Sequence, residues 1–335
     1  MTLEKRLPGA YMICGSQLRF IVPKKDEDAG ILCFELFKEI GFLQRACVDK
    51  SARKPIIVTV SSKKKNVPSR FKKVMRSRLH KTEVFRKDDA FLFTDRKSAF
   101  MIYPRKSTGV LYVDRQTFSR SNYSFRQVLT GGVLELLRWR GLYPIHASGV
   151  YSQGRGILLM GDSGCGKSTV TLSLLLRGWR FLSDDLVFVR ECNRRLRILS
   201  VSSSLKYNHR LFAGLQPLPI SSGCAEEDEA VIDVERVFPR QSVYHCVPGI
   251  IIFLRIVDSR KSALVSIPQR LAFFKLINQS VSLFLGGKPS QGQLDVLRKL
   301  STRTATLQLS LGHDLRRDPL AVADIISTIK GSSRR

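Results

Sequence analysis

Gly156-Ile157-Leu158-Leu159-Met160-Gly161-Asp162-Ser163-Gly164-Cys165-Gly166-Lys167-Ser168-Thr169-Val170 is the stretch on which the fold turns. An apolar run, Ile157 to Met160, leads into Gly161-x-x-x-x-Gly166-Lys167-Ser168. A helix-forming run from Lys167 to Leu176 leads out and meets Gly178, a good C-terminal breaker. Strand, glycine loop and helix in that order put the G-x-x-x-x-G-K-[ST] pattern in the context its chemistry needs. The glycines let backbone N–H groups turn inward around phosphate oxygens, and the helix N-terminus adds its positive end. Gly161, Asp162, Ser163, Gly164, Cys165, Gly166, Lys167, Ser168 and Thr169 are therefore the expected binding loop for ATP or a related nucleoside triphosphate. Lys167 is expected to reach the β- and γ-phosphates, and the Ser168 hydroxyl to serve a Mg²⁺ ion.

Working outward, Ser183-Asp184-Asp185 follows a short apolar run, Phe181-Leu182. Two adjacent carboxylates at a strand end can divide the work: one orients a metal ion or its waters, the other accepts a proton from an attacking hydroxyl. His146 precedes Gly161 by fifteen residues, at the start of the preceding strand. By itself such a histidine is more often structural than catalytic. His80, His209, His245 and His313 make no metal-ligand spacing among themselves.

Strand and helix patterns alternate around this centre. Strands are expected at 146–151, 156–160, 186–190, 197–201, 249–257 and 262–267, and helices at 268–278, 291–300 and 319–329. That mixture predicts an α/β nucleotide domain over residues 126–335 with an extended mixed sheet. The first 125 residues read as a β-rich domain, with β-like runs at 17–22, 55–60, 90–94, 98–103 and 109–113. One helix is expected at 31–42. An amphipathic helix over 125–138, interrupted at Gly131-Gly132, is expected to lead into the nucleotide domain. Within the N-terminal domain, residues 61–87 look like a basic insertion. Lys63 to Lys87 holds eleven Lys and Arg against the single acid Glu83. A solvated insertion or an amphipathic helix is the plain reading, and a docking surface for an acidic partner the functional one.

The bulk numbers bound the classes. The chain has 335 residues, 43% apolar and 25% charged, enough for two domains with ordinary cores. The longest apolar runs fall far short of a membrane span, and the N-terminus leads into no signal-peptide stretch, so a cytoplasmic protein is expected. Seven scattered cysteines with no C-x-x-C pair argue against a disulfide framework or a structural zinc site. The net charge of +28 invites an acidic partner without specifying chemistry.

His146, Gly154-x-Gly156, the phosphate loop, Arg177-Gly178 and Asp184-Asp185 together resemble the catalytic core of HPr kinase/phosphorylase and the wider HPr kinase-like group. The likeness covers roughly residues 145–190. It implies a fold related to phosphoenolpyruvate carboxykinase, and a kinase that moves the γ-phosphoryl of ATP to a serine hydroxyl. Residue by residue it implies that Asp185 is the proton acceptor, Lys167 the phosphate-binding lysine, Ser168 a Mg²⁺ ligand and His146 an active-site histidine. Asp184 is then left to the metal. The family's glycine-rich segment after the aspartate pair is not recognisable between Arg190 and Gly223, where this chain has Ser202-Ser203-Ser204-Leu205-Lys206-Tyr207. Phosphorylase activity and HPr as acceptor therefore do not follow. The N-terminal region is closer to shorter HPr kinase-like proteins that act on peptide or other hydroxyl substrates. Arg177, Lys206, Arg236 and Arg255 all stand as candidates to stabilise charge on the transferring phosphoryl group.

The expected function is ATP-dependent phosphotransfer to a hydroxyl, foremost a serine of a protein or peptide. A nucleotide-dependent NTPase or binding module is the alternative, docking an acidic partner or nucleic acid through the basic segment. A small-molecule kinase is the third reading. The sequence is also compatible with a homo-oligomer.

Overall fold

The structure is a computed structural model, and it describes residues 11–14, 16–22, 54–62, 70–76, 82–95, 97–113, 123–212, 229–280 and 282–329. The helix expected at 31–42 lies outside them, as do parts of the basic segment. The chain divides into two compact units: residues 1–142 with 282–292, and residues 143–281 with 293–335.

The first unit is built on an eight-stranded sheet. Its strands are β1 (Tyr11–Ile13), β2 (Ser16–Ile21), β3 (Ile56–Ser61), β4 (Lys72–Arg76), β5 (Glu83–Lys87), β6 (Ala90–Thr94), β7 (Ala99–Tyr103) and β8 (Thr108–Tyr112). Their order is β1-β2-β3-β8-β7-β6-β5-β4, parallel from β2 through β3 to β8 and antiparallel elsewhere. Alternation explains β3, where Ile56, Val58 and Val60 are buried in turn. The described part of the basic segment forms the antiparallel β4–β5 pair at the sheet edge, not a helix. β4 is exposed along its whole length, as a charged edge strand should be.

Helix α1 (Tyr123–Arg138) packs on β6 and β7 and runs without a break through Gly131-Gly132. The glycines are there for close approach. A Cβ on Gly132 would lie 2.1 Å from the buried Phe100 ring, and one on Gly131 2.9 Å from Phe93. The helix thus belongs to the first sheet, and the compact units part after Leu142 rather than at 125. At its C-terminal end the fully buried Arg138 donates to Glu135 from Nε (2.8 Å) and Nη2 (2.9 Å). It also donates to Ser290 Oγ and the Gly286 carbonyl, both 2.9 Å away, which fastens the returning 282–292 segment to this unit.

The second unit contains β9 (Tyr143–Ile145), β10 (Ser148–Ser152), β11 (Arg155–Met160), α2 (Lys167–Leu176), β12 (Arg180–Ser183), β13 (Val187–Cys192) and β14 (Arg195–Leu199). There follow β15 (Ser204–Asn208), β16 (Glu229–Asp233), α3 (Val234–Val237), β17 (His245–Cys246), β18 (Pro248–Ile256), β19 (Ala263–Ser266) and α4 (Gln269–Asn278). The unit ends with α5 (Lys288–Arg303), which begins in the 282–292 segment, then β20 (Ala305–Leu311), α6 (Asp314–Arg317) and α7 (Ala321–Ser327). The main sheet runs β12-β10-β11-β18-β20-β19, with β11, β18 and β20 parallel in its middle. Those strands read as continuous apolar runs because both faces are covered. On one face α4 and α5 contribute Ala272, Leu276, Val296, Leu297 and Leu300 to the core. On the other, Val170 and Leu174 of α2 pack with Val322 and Ile326 of α7. This is the mixed α/β unit that the alternating pattern predicts. A four-stranded antiparallel sheet, β17-β14-β13-β9, and the β15–β16 pair complete it.

Candidate functional site

The loop from Gly161 to Gly166 leaves the C-terminal end of β11, which is paired on both sides and buried from Gly156 to Met160. It enters α2 through Gly166, whose φ of 95° and ψ of 13° lie in the left-handed region that only glycine adopts without cost. Lys167 is the first residue of the helix and only 5% exposed. Its ammonium donates to the carbonyls of Gly161 (2.9 Å) and Asp162 (3.0 Å), so the charge is held across the mouth of the loop.

The aspartate pair sits in a three-residue turn closed by the Leu186 N–H on the Asp184 carbonyl at 2.7 Å. Asp185, in the middle, has φ of 60°, a costly conformation for a residue with a side chain. The turn sends the two carboxylates opposite ways. That of Asp184 points inward, 6% exposed, and accepts from Ser168 Oγ (3.1 Å to Oδ2), from Ser148 Oγ and from the Lys206 backbone N–H. Burial and the neighbouring Asp185 charge push its carboxyl up to about 6, against these hydrogen bonds. Asp185 is exposed towards a cavity of about 480 Å³.

His146 closes the turn from the other side. Its Nδ1 is 2.8 Å from the Asp185 carbonyl oxygen, which can only accept, so Nδ1 carries the proton and Nε2 is left as the acceptor. Burial, then the Lys167 charge, hold the imidazole below its ordinary pKa, which favours this neutral form. The backbone N–H of His146 donates to the Gln279 carbonyl (2.9 Å), anchoring it to the end of α4.

One cavity therefore gathers the residues singled out in sequence: His146, Ser163, Gly164, Gly166, Lys167, Ser168, Thr169 and Asp185 all line it. Gly161, Asp162 and Cys165 belong to the same loop, Cys165 turned into the core beneath it. Asp184 reaches the site through Ser168. Of the candidate cations named in sequence Lys206 lines it, and the structure adds Tyr207, Asn208 and Glu229 from the β15–β16 pair, which no motif marks. Ser148 is also new; it opens β10, while His146, expected at the start of that strand, lies in the link between β9 and β10. A second, apolar cleft of about 250 Å³ shares Gly164, Gly166, Thr169 and Leu211 with the first and continues over Ile256, Leu311, Leu315, Pro319 and Val322.

Residues 143–209, which hold every lining residue of the first cavity except Leu211 and Glu229, match the family model described as the HPr Serine kinase C-terminal domain. Through this segment the chain is similar to the HPr kinase family. Its relatives include the HPr kinase/phosphorylase of Lachnoclostridium phytofermentans, 42% identical over 62 residues, which is 17% of this chain and 20% of that protein. The HPr kinase/phosphorylase of Geobacter sulfurreducens is 39% identical over 61 residues, 18% of this chain and 19% of the relative. This chain thus spans about a fifth of the length of the curated relatives it matches. Among solved structures, the HPr(Ser) kinase/phosphatase from Coxiella burnetii aligns over 55% of this chain and 93% of its own, at 15% identity and a TM-score of 0.31. At that score the alignment adds nothing to the fold, which rests on the HPr kinase-like segment and the sheet around it.

Proposed function

We propose that the second unit is an ATP-dependent phosphotransferase that moves the γ-phosphoryl group to a hydroxyl, foremost a serine of a protein or peptide. The observation that carries this is one cavity holding the phosphate-loop lysine, the Ser168 hydroxyl bonded to a buried carboxylate, and a separate exposed carboxylate. The matching family model is described as an HPr Serine kinase domain, which supports a serine hydroxyl as acceptor.

The donor set fits Mg²⁺. Ser168 and Asp184 offer a hydroxyl and a carboxylate in contact, and hard oxygen ligands suit that ion. When bound, Mg²⁺ would neutralise charge on the phosphates. The chain's own residues do the rest. Loop amides and Lys167 hold the phosphates. Asp185 takes the proton of the attacking hydroxyl, the γ-phosphorus bond to the bridging oxygen breaks, and the new bond forms to the acceptor oxygen. His146 holds the Asp185 turn through its Nδ1–H, and so aims that carboxylate into the cavity. The apolar cleft beside the loop suits a purine base.

Transfer of a radiolabel from the γ-position of ATP into an extract of the native host, followed by identification of the labelled molecule, tests the reading. Asp185→Asn should lower transfer by roughly 100-fold or more while ATP affinity stays within a few-fold. Transfer surviving in that variant would remove Asp185 as the base. Label appearing only as inorganic phosphate would favour an NTPase.

A further inference from the structure

Four cations stood as candidates in sequence to neutralise charge on the transferring phosphoryl group, and the fold separates them. Arg177 lies beyond the C-terminal end of α2, about 15 Å along the helix axis from Lys167, and pairs with Asp324 at 3.6 Å. Arg255 on β18 donates from Nε to Ser310 Oγ at 2.9 Å. Arg236 is on α3 and does not line the cavity. Lys206 does line it, beside Lys167, Ser168, Asp185 and His146.

Its position follows from strand alternation. Leu205 and Tyr207 are buried in a core with Leu172 and Leu175 of α2, so the residue between them must face the other way. The backbone is pinned at the same place. The Lys206 N–H donates to the buried Asp184 carboxylate, while Val201 and Ser202 N–H groups donate to Ser183 Oγ (3.2 Å each), one residue before the aspartate pair. The start of β15 is therefore tied directly to the catalytic turn. The Lys206 ammonium has no hydrogen bond or ion pair with any described residue, whereas the Lys167 ammonium is bonded to two loop carbonyls.

We propose that Lys206 is a catalytic residue: its ammonium binds the non-bridging oxygens of the γ-phosphoryl group as that group leaves ADP. The proposal rests on the phosphotransfer reading above. A cation without a partner among the described residues, positioned by the backbone bond to Asp184, meets the charge spread over the equatorial oxygens in a planar geometry reached only as the group transfers. That is the condition under which fixed charge speeds a reaction.

The test uses the full chain, Mg²⁺ and two ligands: ADP alone, and ADP with aluminium fluoride, which mimics the phosphoryl group in flight. The wild type should bind the second at least about tenfold more tightly. Lys206→Met should weaken binding of the aluminium fluoride complex by roughly 100-fold and leave ADP affinity within about twofold. Lys206→Arg should recover part of the loss. Unchanged ADP affinity also reports that the variants are folded. Loss of ADP and mimic affinity in equal measure, or of neither, overturns the proposal. Wild-type protein that binds no ADP, or that gains nothing from aluminium fluoride, would instead remove the phosphotransfer reading and the proposal with it.

Discussion

Asp184 and Asp185 are adjacent carboxylates with different surroundings, and the difference comes from one turn. The positive φ of Asp185 puts its neighbour in a buried nest of hydroxyls while leaving its own side chain at the cavity. Burial raises Asp184 from an ordinary 3.8 to about 6, so the folded, metal-free protein holds a proton there that the unfolded chain has lost. Stability contributed by this group is therefore largest below about pH 4 and falls as pH rises towards 6. Asp184→Asn should remove that downward slope. Above about pH 7 in chelator the variant's Tm should exceed that of the wild type by roughly 2–6 °C, while Mg²⁺-dependent nucleotide binding is lost. Thermal melts at several pH values with EDTA check it, and a wild-type slope retained in the Asn variant would remove Asp184 as its source.

At the scale of an element, α1 shows how packing overrides propensity. Gly131-Gly132 costs an isolated helix about 1 kcal/mol per glycine relative to alanine, which is why the sequence suggests a break there. The sheet reverses that preference. A Cβ on Gly132 would meet two ring atoms of Phe100 at 2.1 and 2.5 Å, and that ring is fully buried between neighbours, with no room to swing aside. Overpacking costs of about 1–3 kcal/mol outweigh the propensity gain. Gly132→Ala should therefore lower the urea midpoint of unfolding, although the same change in a solvated helix would raise it. A midpoint that rises would mean that the helix stands further from β7 than the contact shows. In the β15–β16 pair, packing instead supplies a role that the local sequence does not announce. Lys206 is only one of four candidate cations in the sequence, yet the packing of Ser204–Asn208 onto α2 brings Lys206 and Asn208 to the cavity, with Tyr207 touching it as well.

For the whole molecule, the order of compact units matters for how the chain can be cut. The first unit claims α1 and the returning 282–292 segment, through the α1 contact with β6 and β7 and through the Arg138 bonds to Ser290 and Gly286. A fragment beginning at residue 126, the boundary that composition suggests, would leave Val128, Leu129, Val133, Leu136 and Leu137 without the sheet that buries them. Such a fragment should bind the dye ANS and elute as aggregates in gel filtration, while the full chain does neither. Among the described residues, no helix is long and apolar enough to cross a membrane. The sequence alone determined the glycine-rich loop between strand and helix, the alternating order of the second unit and the residue types of the aspartate turn, because tight loops and sheet burial impose short-range patterns on adjacent residues. The tertiary structure alone decided which unit owns α1, which way each aspartate faces and which of four cations reaches the cavity. Those are outcomes of packing between segments far apart in the chain, and no local spacing encodes them.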